Sequence, residues 1–369
     1  MNTDKTLSLV EKLHQQSILP KAIKVANGKR LAGPVVVDLD PTTFCDLACP
    51  ECISSGVINK GQFDKNRVVE LTKELVLAGV QAVVLIGGGE PLMHKSIGSI
   101  IEILHRAGIK IGLVSNGTLI HRYIEPLGQM MDWVRISMDS GSQEVYDCYR
   151  PSGRKESVFP TVVDNMLLLA SRKKASVTLG YSYLLMFRLD DNGNLIDSNY
   201  MDVLNGAKLA KDIGCDYFEV KAMYDENHHV VAPPAHLLAE FEAIFPQLIA
   251  LQNDDFRVLY SSTYEELSTP IRVEQVKEYT TCPIMELRTT VTPNGVFACP
   301  SHRGNPAGYL GDVSTHNFPS FWEEVDTAKV NPKRDCTFFC PRHSSNLEII
   351  EMRTLETPPV SVKDFNLFI

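Results

Sequence analysis

The sequence lacks the features that mark membrane, secreted and nucleic-acid-binding proteins. It has no run of about 18 apolar residues, so no transmembrane helix is expected. The first 16 residues carry acidic side chains where a signal peptide would be basic, and no apolar core follows them. Basic residues number 36 against 45 acidic ones, and a net charge of −9 offers no basic surface for nucleic acid or anionic lipid. We therefore expect a cytoplasmic protein that binds neither nucleic acid nor membrane.

A disulfide framework is also not indicated, although the sequence contains nine cysteines. The number is odd, and disulfides are rare in large cytoplasmic enzymes. Hydrophobic residues make up 44 % of the chain and charged residues 22 %, which is typical of a globular protein. The 369 residues are enough for one large domain and a smaller one. The cysteines are therefore interpreted as metal ligands, reactive thiols or core residues.

Short apolar runs alternate with amphipathic stretches from residue 35 onward. The runs have the composition of buried strands, and the stretches between them have the period of helices. Six β–α units in succession predict an α/β fold, a parallel sheet with helices outside that forms a partial (β/α)6 barrel. The predicted strands are 35–40, 82–87, 109–115, 133–138, 176–186 and 217–223, and predicted helices include 66–79, 95–107, 160–173 and 198–213.

The pattern changes after the sixth predicted strand. Pro233 and Pro234 open a stretch that predicts a linking helix, and strand and turn signals dominate from 282 to 340. Pro293-Asn294-Gly295 lies between two apolar runs and predicts a β-hairpin. The expected organisation is an N-terminal extension (1–34), the partial barrel (35–232), a linking helical region (233–270), a small domain built around a metal (271–345) and a C-terminal tail (346–369).

Three cysteines follow the first predicted strand directly, in the segment TTFCDLACPEC with the spacing C-x3-C-x2-C. On one short loop, Cys45, Cys49 and Cys52 can bind three irons of a [4Fe–4S] cluster and leave the fourth iron open to another ligand. A structural zinc site completed by a distant residue would use the same kind of donor. The spacing alone leaves both interpretations open.

Polar residues follow the next three predicted strands at the point where each strand ends. These segments are 87–91 (GGGEP), 115–118 (SNGT) and 137–139 (SMD). The carboxyl ends of parallel strands meet at one edge of a sheet, where binding sites of α/β folds lie. The cysteine loop and these three segments are therefore predicted to form one ring of polar groups.

With these motifs the chain resembles the radical S-adenosylmethionine (SAM) superfamily over residues 35–225. The resemblance implies that Cys45, Cys49 and Cys52 hold a [4Fe–4S] cluster whose open iron binds SAM, and that a flavodoxin- or ferredoxin-type protein donates the electron. SAM would be cleaved to methionine and a 5′-deoxyadenosyl radical that abstracts a substrate hydrogen. Glu51 is a departure, because the family often has an aromatic residue before the third cysteine. The implied SAM contacts are Gly88, Gly89 and Glu90 at the methionine amino group, with Asn116, Ser137 and Asp139 near the carboxylate and ribose.

Four more cysteines lie near the C-terminus, and four thiolates suit either a zinc ion or a fully ligated [4Fe–4S] cluster. After a radical SAM barrel, such a segment resembles the auxiliary-cluster extensions called SPASM and twitch domains. It has fewer cysteines than the full SPASM pattern, and Gly295 is one residue closer to the second cysteine than usual. The resemblance therefore implies a single auxiliary [4Fe–4S] cluster, which transfers an electron or shapes the substrate pocket. Its expected ligands are Cys282, Cys299, Cys336 and Cys340.

The two remaining cysteines stand apart from both groups. Cys215 precedes the sixth predicted strand and is expected in the core. Cys148 lies in the segment EVYDCYRP after the fourth strand. Two interpretations stay open for Cys148, a small buried thiol or a catalytic hydrogen-atom donor that quenches a substrate radical, as in epimerising relatives.

The substrate is specified less well than the cofactors. Tyr181, Tyr183, Arg188 and Lys221 lie at the same predicted edge and suit a small polar molecule, or equally a solvated rim of loops. Only 44 residues precede Cys45, so a fused leader-binding domain of the peptide-modifying relatives is not expected. We favour a sugar, aminocyclitol or nucleoside that is dehydrogenated, decarboxylated or epimerised in a biosynthetic pathway. The layout is similar to that of the aminocyclitol (2-deoxy-scyllo-inosamine) dehydrogenase of butirosin biosynthesis.

Two alternatives belong to other classes of protein. The first is a peptide maturase that works with a separate leader-binding protein. The second is a non-catalytic iron–sulfur electron carrier or sensor. Glu90, Asn116 and Asp139 keep the pattern of a SAM site, which favours an enzyme over a carrier.

Overall fold

The computed structural model describes residues 8–225, 227–267, 275–355, 357 and 359–369. These residues divide into two compact units. The first unit comprises the described residues within 1–44, 56–112 and 274–369, and the second those within 45–55 and 113–273. None of the described helices is long and apolar enough to cross a membrane.

Twelve strands and fourteen α-helices lie in the described ranges. The strands are β1 (Val36–Leu39), β2 (Ala82–Leu85), β3 (Lys110–Ser115), β4 (Trp133–Ser137), β5 (Thr178–Leu185), β6 (Phe187–Leu189), β7 (Leu195–Ser198), β8 (Tyr217–Ala222), β9 (Arg257–Tyr260), β10 (Arg288–Thr292), β11 (Gly295–Phe297) and β12 (Tyr309–Gly311). The helices are α1 (Leu9–Leu13), α2 (Leu19–Ala26), α3 (Lys65–Leu77), α4 (Ile97–Arg106), α5 (Ile124–Gln129), α6 (Gln143–Tyr149), α7 (Phe159–Arg172), α8 (Val203–Ile213), α9 (Ala235–Ala250), α10 (Ser262–Leu267), α11 (Pro283–Leu287), α12 (Phe318–Glu324), α13 (Pro332–Asp335) and α14 (His343–Met352).

The first unit is built on β1, which has a parallel neighbour on each side. β2 pairs with one edge of β1 and β10 with the other, so that Val36 lies opposite both Ala82 and Arg288. β11 and β12 continue the sheet as antiparallel strands beyond β10, while β3 follows β2. All residues of β1 and β2 are buried, which is typical of parallel strands covered on both faces.

The second unit includes the end of β3, because the division between the units falls between Gly112 and Leu113. Its strand order is β3-β4-β5-β8-β9, and the pairs from β4 to β9 are parallel. A separate antiparallel hairpin, β6–β7, follows β5. The hairpin was not predicted, although its turn contains Asn192-Gly193, with Gly193 at φ 80°, the kind of signal that marks a hairpin.

The α/β class with parallel strands is confirmed, and all six predicted strands are present. Among the described strands, β12 and β9 each have a neighbour on one side only, as expected for a partial rather than a closed barrel. The predicted linking helix is α9, and the predicted hairpin at Pro293-Asn294-Gly295 joins β10 to β11. The domain boundaries stay a prediction. β9 was not predicted, nor was the parallel pairing of β10 with β1.

Candidate active site

The three predicted cluster cysteines lie on one loop of the second unit, and all three are half-buried. Backbone hydrogen bonds hold the loop: the Cys52 amide donates to the Cys49 carbonyl at 3.3 Å in a turn, and the Ala48 amide donates to the distant Pro151 carbonyl at 2.7 Å. Burial raises the pKa of the Cys49 thiol, the charge of Arg150 lowers it, and the charge of Cys52 raises it. The loop thus places at least Cys49 and Cys52 close enough to influence each other's charge.

Asp46 ties this loop to the turn after β3. Its Oδ1 accepts a hydrogen bond from Asn116 Nδ2, and its Oδ2 accepts one from Thr118 Oγ1, both at 2.8 Å. Asn116 Nδ2 also lies 3.9 Å from Cys45 Sγ. The predicted SAM contact Asn116 is therefore joined to the cysteine loop. The sequence analysis did not predict a role for Asp46. Its only sequence signal is its place directly after Cys45.

A buried ion pair lies beside Cys49. Arg150 Nη1 donates to Asp139 Oδ2 at 2.5 Å, and the Leu184 amide donates to Asp139 Oδ1 at 2.8 Å. Burial alone would lower the pKa of Arg150, but the charges of Cys49 and Asp139 outweigh it and raise that pKa. Arg150 is thus a permanent positive charge beside a predicted cluster ligand. No sequence signal pointed to it.

The position of Asp139 is fixed by its backbone conformation and by hydrogen bonds. Its φ is 55°, in the left-handed region that Asp and Asn tolerate better than most residues. Its carbonyl accepts from Asn199 Nδ2 at 2.8 Å. Ser137, two residues earlier on β4, is partly exposed and lies level with Ser182 of β5. Asp139 thus holds the Arg150 guanidinium in place while its own position is fixed by the Leu184 amide and Asn199.

In the first unit, the glycine segment after β2 packs closely against the chain before the cysteine loop. A Cβ on Gly89 would lie 2.2 Å from the Phe44 carbonyl oxygen, so only glycine fits there. The Glu90 amide donates to that same carbonyl at 2.8 Å. Glu90 is buried, and its Oε1 accepts from the Leu92 amide at 3.0 Å. Gly88 is held from the other side, because its amide donates to Asp40 Oδ2 at 2.9 Å.

Asp40 is itself part of a buried pair. Arg303 Nη2 donates to Asp40 Oδ1 at 3.0 Å, and Arg303 Nε lies 2.6 Å from Oδ2. Burial raises the pKa of Asp40 to about 6 even though Arg303 opposes the rise. The pair supports the Gly88 amide, so Arg303 has a structural role in the first unit.

We expect Arg303→Met to destabilise the protein by about 3–5 kcal/mol, because it leaves the Asp40 carboxylate buried without its cation. The double variant Asp40→Asn/Arg303→Met should recover part of the loss, since no buried charge remains and Asn can still accept from Gly88. Lys333→Met, which breaks an exposed pair with Glu278, is the matched control and should cost about 0–1 kcal/mol. Anaerobic urea denaturation measures all three. An Arg303→Met loss no larger than that of the control would contradict the prediction.

The four C-terminal cysteines lie together in the first unit. Burial is the main cause that raises their thiol pKa values, to about 11 for Cys299 and about 12 for Cys336. The pKa of Cys282 is raised further by the charges of Cys340, Cys299 and Cys336. The thiols are therefore near enough to repel one another as thiolates. Within the described ranges, no three His, Cys, Asp or Glu side chains converge on a position for one metal ion.

Cationic side chains surround this cysteine group. The charge of Lys277 lowers the pKa of both Cys336 and Cys340, and Arg342 lowers that of Cys340. Arg342 is buried beside Cys299, and its Nε has no hydrogen-bond partner among the described residues. His302 Nε2 lies 3.4 Å from Cys336 Sγ. Four thiols with an uncommitted guanidinium donor fit an anionic iron–sulfur cluster.

The two single cysteines occupy different environments. Cys215 is buried in the core, as predicted. Cys148 is exposed, so the buried-thiol interpretation is wrong. Its Sγ accepts from Arg188 Nη2 at 2.9 Å, because β6 brings Arg188 next to α6.

Arg188 also explains the unusual Glu51. Arg188 Nε lies 3.1 Å from Glu51 Oε1, and the guanidinium stacks over the Tyr149 ring at 4.8 Å. The hairpin is thereby tied to the cysteine loop at the position where an aromatic residue was expected. Tyr181 and Tyr183, in contrast, are fully buried and donate their hydroxyls to the carbonyls of Ser140 and Asn199, so they belong to the core.

Comparison with known proteins adds a family match and a set of relatives. Residues 39–229 match the model of the Radical SAM superfamily. A probable GTP 3′,8-cyclase of Archaeoglobus fulgidus is 31 % identical over 119 residues, which are 32 % of this chain and 40 % of that protein. The mycofactocin maturase MftC of Mycobacterium tuberculosis is 30 % identical over 128 residues, 33 % of this chain and 32 % of that protein. The matches thus span less than half of these relatives.

A solved structure shares the fold over nearly the whole chain. SuiB of Streptococcus suis, bound to its precursor peptide SuiA, superposes with a TM-score of 0.61 and 15 % identity. The match covers 95 % of this chain and 79 % of SuiB. At this level of identity the likeness concerns the fold.

Proposed function

The chain belongs to the radical SAM superfamily, and from this premise we propose that it is an enzyme whose Cys45, Cys49 and Cys52 hold a [4Fe–4S] cluster that binds SAM. The observation that carries the proposal is the cysteine loop, with three thiols, a buried arginine beside Cys49 and a tie to Asn116 through Asp46. When bound, the cluster and SAM supply a 5′-deoxyadenosyl radical that abstracts a hydrogen atom from the substrate.

The side chains of the protein fix the geometry of the site and set the charge of its thiols. Arg150 favours the thiolate form of Cys49, which is the form that binds iron, by lowering its pKa against the effect of burial. Asp139 keeps Arg150 in place, and Asp46 fixes the loop through two hydrogen bonds. These contacts are made between residues of the chain itself and place the charged and polar groups around the cysteine loop.

Six residues are proposed to contact SAM. In the first unit, Glu90 presents a carboxylate of fixed orientation and the flanking glycines leave no side chain in the way of the methionine amino group. In the second unit, Asn116 adjoins Cys45 and Asp139 positions a guanidinium. A buried carboxylate and fixed polar groups are suited to a zwitterionic amino acid. The proposed contacts are Gly88, Gly89, Glu90, Asn116, Ser137 and Asp139.

A second [4Fe–4S] cluster is proposed at Cys282, Cys299, Cys336 and Cys340. The proposal is supported by the mutual charge effects of the four thiols and by Arg342 and Lys277 beside them. Four protein thiolates would occupy all four irons, so the substrate would not ligate this cluster. The proposed role of this second cluster is to transfer an electron or to shape the substrate pocket.

The proposed substrate is a small polar molecule such as a sugar, aminocyclitol or nucleoside, and the outcome is dehydrogenation, decarboxylation or epimerisation. A relative named as a GTP cyclase supports a nucleotide-like substrate. Relatives named as a peptide maturase and as a protein bound to a precursor peptide support a peptide substrate as the second candidate. The exposed Cys148 thiol is the proposed hydrogen donor if the outcome is epimerisation. A flavodoxin- or ferredoxin-type protein is the proposed electron donor.

The proposal is tested by anaerobic incubation of the reconstituted protein with SAM, a chemical reductant and a panel of nucleotides, sugars, aminocyclitols and short peptides. Formation of 5′-deoxyadenosine reports SAM cleavage, and product mass separates the outcomes. Oxidation removes two hydrogens, decarboxylation removes carbon dioxide, and epimerisation in deuterated water adds deuterium. If protein with its full iron content formed no 5′-deoxyadenosine, the proposed function would be wrong.

Glu90→Gln and Asp139→Asn are each expected to weaken SAM binding by about 10–100-fold while leaving the iron content unchanged, the loss that follows when one charged hydrogen bond is removed. Asn is chosen at 139 because it tolerates a positive φ and still accepts from the Leu184 amide. Equilibrium dialysis with labelled SAM measures the affinity. Glu102→Gln, on the exposed face of α4, is the control and should bind SAM like the parent. Parent-like SAM affinity in both site variants would show that these residues do not contact SAM.

A further inference from the structure

One face of the sheet in the second unit carries a group of polar and charged side chains. The other face is packed against helices, as Tyr183 shows: a Cβ on Gly206 of α8 would lie 2.8 Å from its ring. Side chains alternate along a strand, so Ser182 points to the opposite face, together with its level neighbours Ser137 on β4 and Glu219 on β8. Arg135 and Lys221, two residues from Ser137 and Glu219 respectively, share that face.

Arg135, Glu219 and Lys221 form an ionic group, here called the β4–β8 triad. Arg135 Nη1 donates to Glu219 Oε2 at 3.0 Å, and Lys221 Nζ lies 3.2 Å from the same oxygen. The Glu219 side chain is 6 % exposed, whereas those of Arg135 and Lys221 are 24 % and 22 % exposed. The two cations therefore reach solvent while the carboxylate beneath them does not.

The charges of the triad do not balance. Burial alone would raise the pKa of Glu219, but Lys221 and Arg135 outweigh it, so the carboxylate is ionised. Two cations against one anion leave a net charge of +1 on a half-buried surface. Arg135 Nε is buried and has no hydrogen-bond partner among the described residues. A surplus positive charge that reaches solvent and an unused guanidinium donor are suited to an anion, which binds through charge-assisted hydrogen bonds.

The triad lies next to residues of the proposed SAM site. Ser137, Ser182 and Glu219 are level with one another on β4, β5 and β8. Neighbouring strands are about 4.8 Å apart, so Ser137 and Glu219 are separated by about 10 Å. A ligand group held by the triad would thus lie beside, not within, the space proposed for the SAM ribose. That position suits a second reactant.

We propose that Arg135 and Lys221, oriented by Glu219, bind a carboxylate or phosphate group of the substrate. The inference rests on the proposed function and narrows its substrate class to molecules that carry such an anion. Glu219 holds both cations at one oxygen, and its negative charge offsets their mutual repulsion. The anion would supply the negative charge that the triad lacks.

The test uses the reconstituted holoprotein and two anions of constant charge near neutral pH. Sulfate stands for a phosphate group and malonate for a carboxylate, and isothermal titration calorimetry measures their affinity. Lys221→Met leaves a neutral Arg135–Glu219 pair and should weaken anion binding by at least about 10-fold, the effect of losing one charged contact. Lys221→Arg should retain binding. Lys333→Met, which removes an exposed positive charge elsewhere, should bind like the parent.

The pH dependence of sulfate binding distinguishes an anion site from a triad with a purely structural role. Burial and the charge of Arg135 lower the pKa of Lys221 to about 8, against the opposing effects of Glu219 and Asp139. Sulfate affinity of the parent should therefore fall as the pH rises through about 8 and beyond, because Lys221 loses its proton. In Lys221→Arg the affinity should stay level over the same range, since an arginine remains charged.

The outcomes separate this inference from the proposed reaction. Iron content and 5′-deoxyadenosine formation without substrate should be normal in Lys221→Met, which shows that the variant folds and cleaves SAM. Equal sulfate binding by the parent and Lys221→Met would overturn the anion site while leaving SAM cleavage standing. A 10-fold loss of SAM affinity in Lys221→Met would also overturn it, because the cations would then serve the SAM carboxylate. Lys221-dependent sulfate binding without any SAM cleavage would support the anion site and contradict the proposed reaction.

Discussion

Replacing Cys45, Cys49 and Cys52 with alanine is expected to abolish 5′-deoxyadenosine formation and to lower the iron content from about eight to about four per chain, the difference of one [4Fe–4S] cluster. The three thiols are the proposed ligands of the cluster that binds SAM, and no other cysteine of the second unit lies on their loop. Iron analysis and quantification of 5′-deoxyadenosine after anaerobic reconstitution measure the two effects.

Cys215→Ala is the matched control for this triple variant. Cys215 is a buried core thiol of the same unit, so its loss should cost some stability while iron content and SAM cleavage stay at the parent level. If the triple variant kept its full iron content, or still formed 5′-deoxyadenosine, the assignment of the loop as the cluster site would be wrong.

The double variant Cys336→Ala/Cys340→Ala is expected to have the second largest effect, the loss of product without the loss of SAM cleavage. Iron should again fall from about eight to about four, because two of the four ligands of the proposed auxiliary cluster are gone. Reductive cleavage uses the loop cluster and should continue. In a two-electron oxidation the radical removes one electron with the hydrogen atom, and the auxiliary cluster is the natural acceptor of the second.

Substrate deuterated at the reacting carbon distinguishes the roles of the auxiliary cluster. Transfer of deuterium to 5′-deoxyadenosine in the double variant, with no product formed, would support electron transfer. Loss of deuterium transfer together with a large fall in melting temperature would indicate a structural cluster. Normal product yield would exclude both roles, and a fully active protein loaded with zinc alone at this site would contradict the second cluster itself.

The six strands of the parallel sheet were predictable because each is a short apolar run followed by an amphipathic helix, a local pattern that requires no knowledge of distant contacts. The β6–β7 hairpin was missed because its strands are short, and Leu195 and Ile196 are exposed, so no alternation toward a core marks them. The parallel pairing of β10 with β1 was missed for another reason. Strand pairing across some 250 residues leaves no trace in the local sequence of either partner.

The sequence by itself determined the α/β class, the two cysteine groups and the family, because residue type, spacing and short-range periodicity carry that information. Only the tertiary structure brought Arg150 beside Cys49, Asp46 to Asn116, and Arg303 to Asp40. It also showed that two cations share one buried carboxylate on one face of β4 and β8. Contacts of this kind depend on burial, which lowers the local dielectric constant, and on strands that are distant in sequence but adjacent in space. The residues next to each partner in the sequence determine neither.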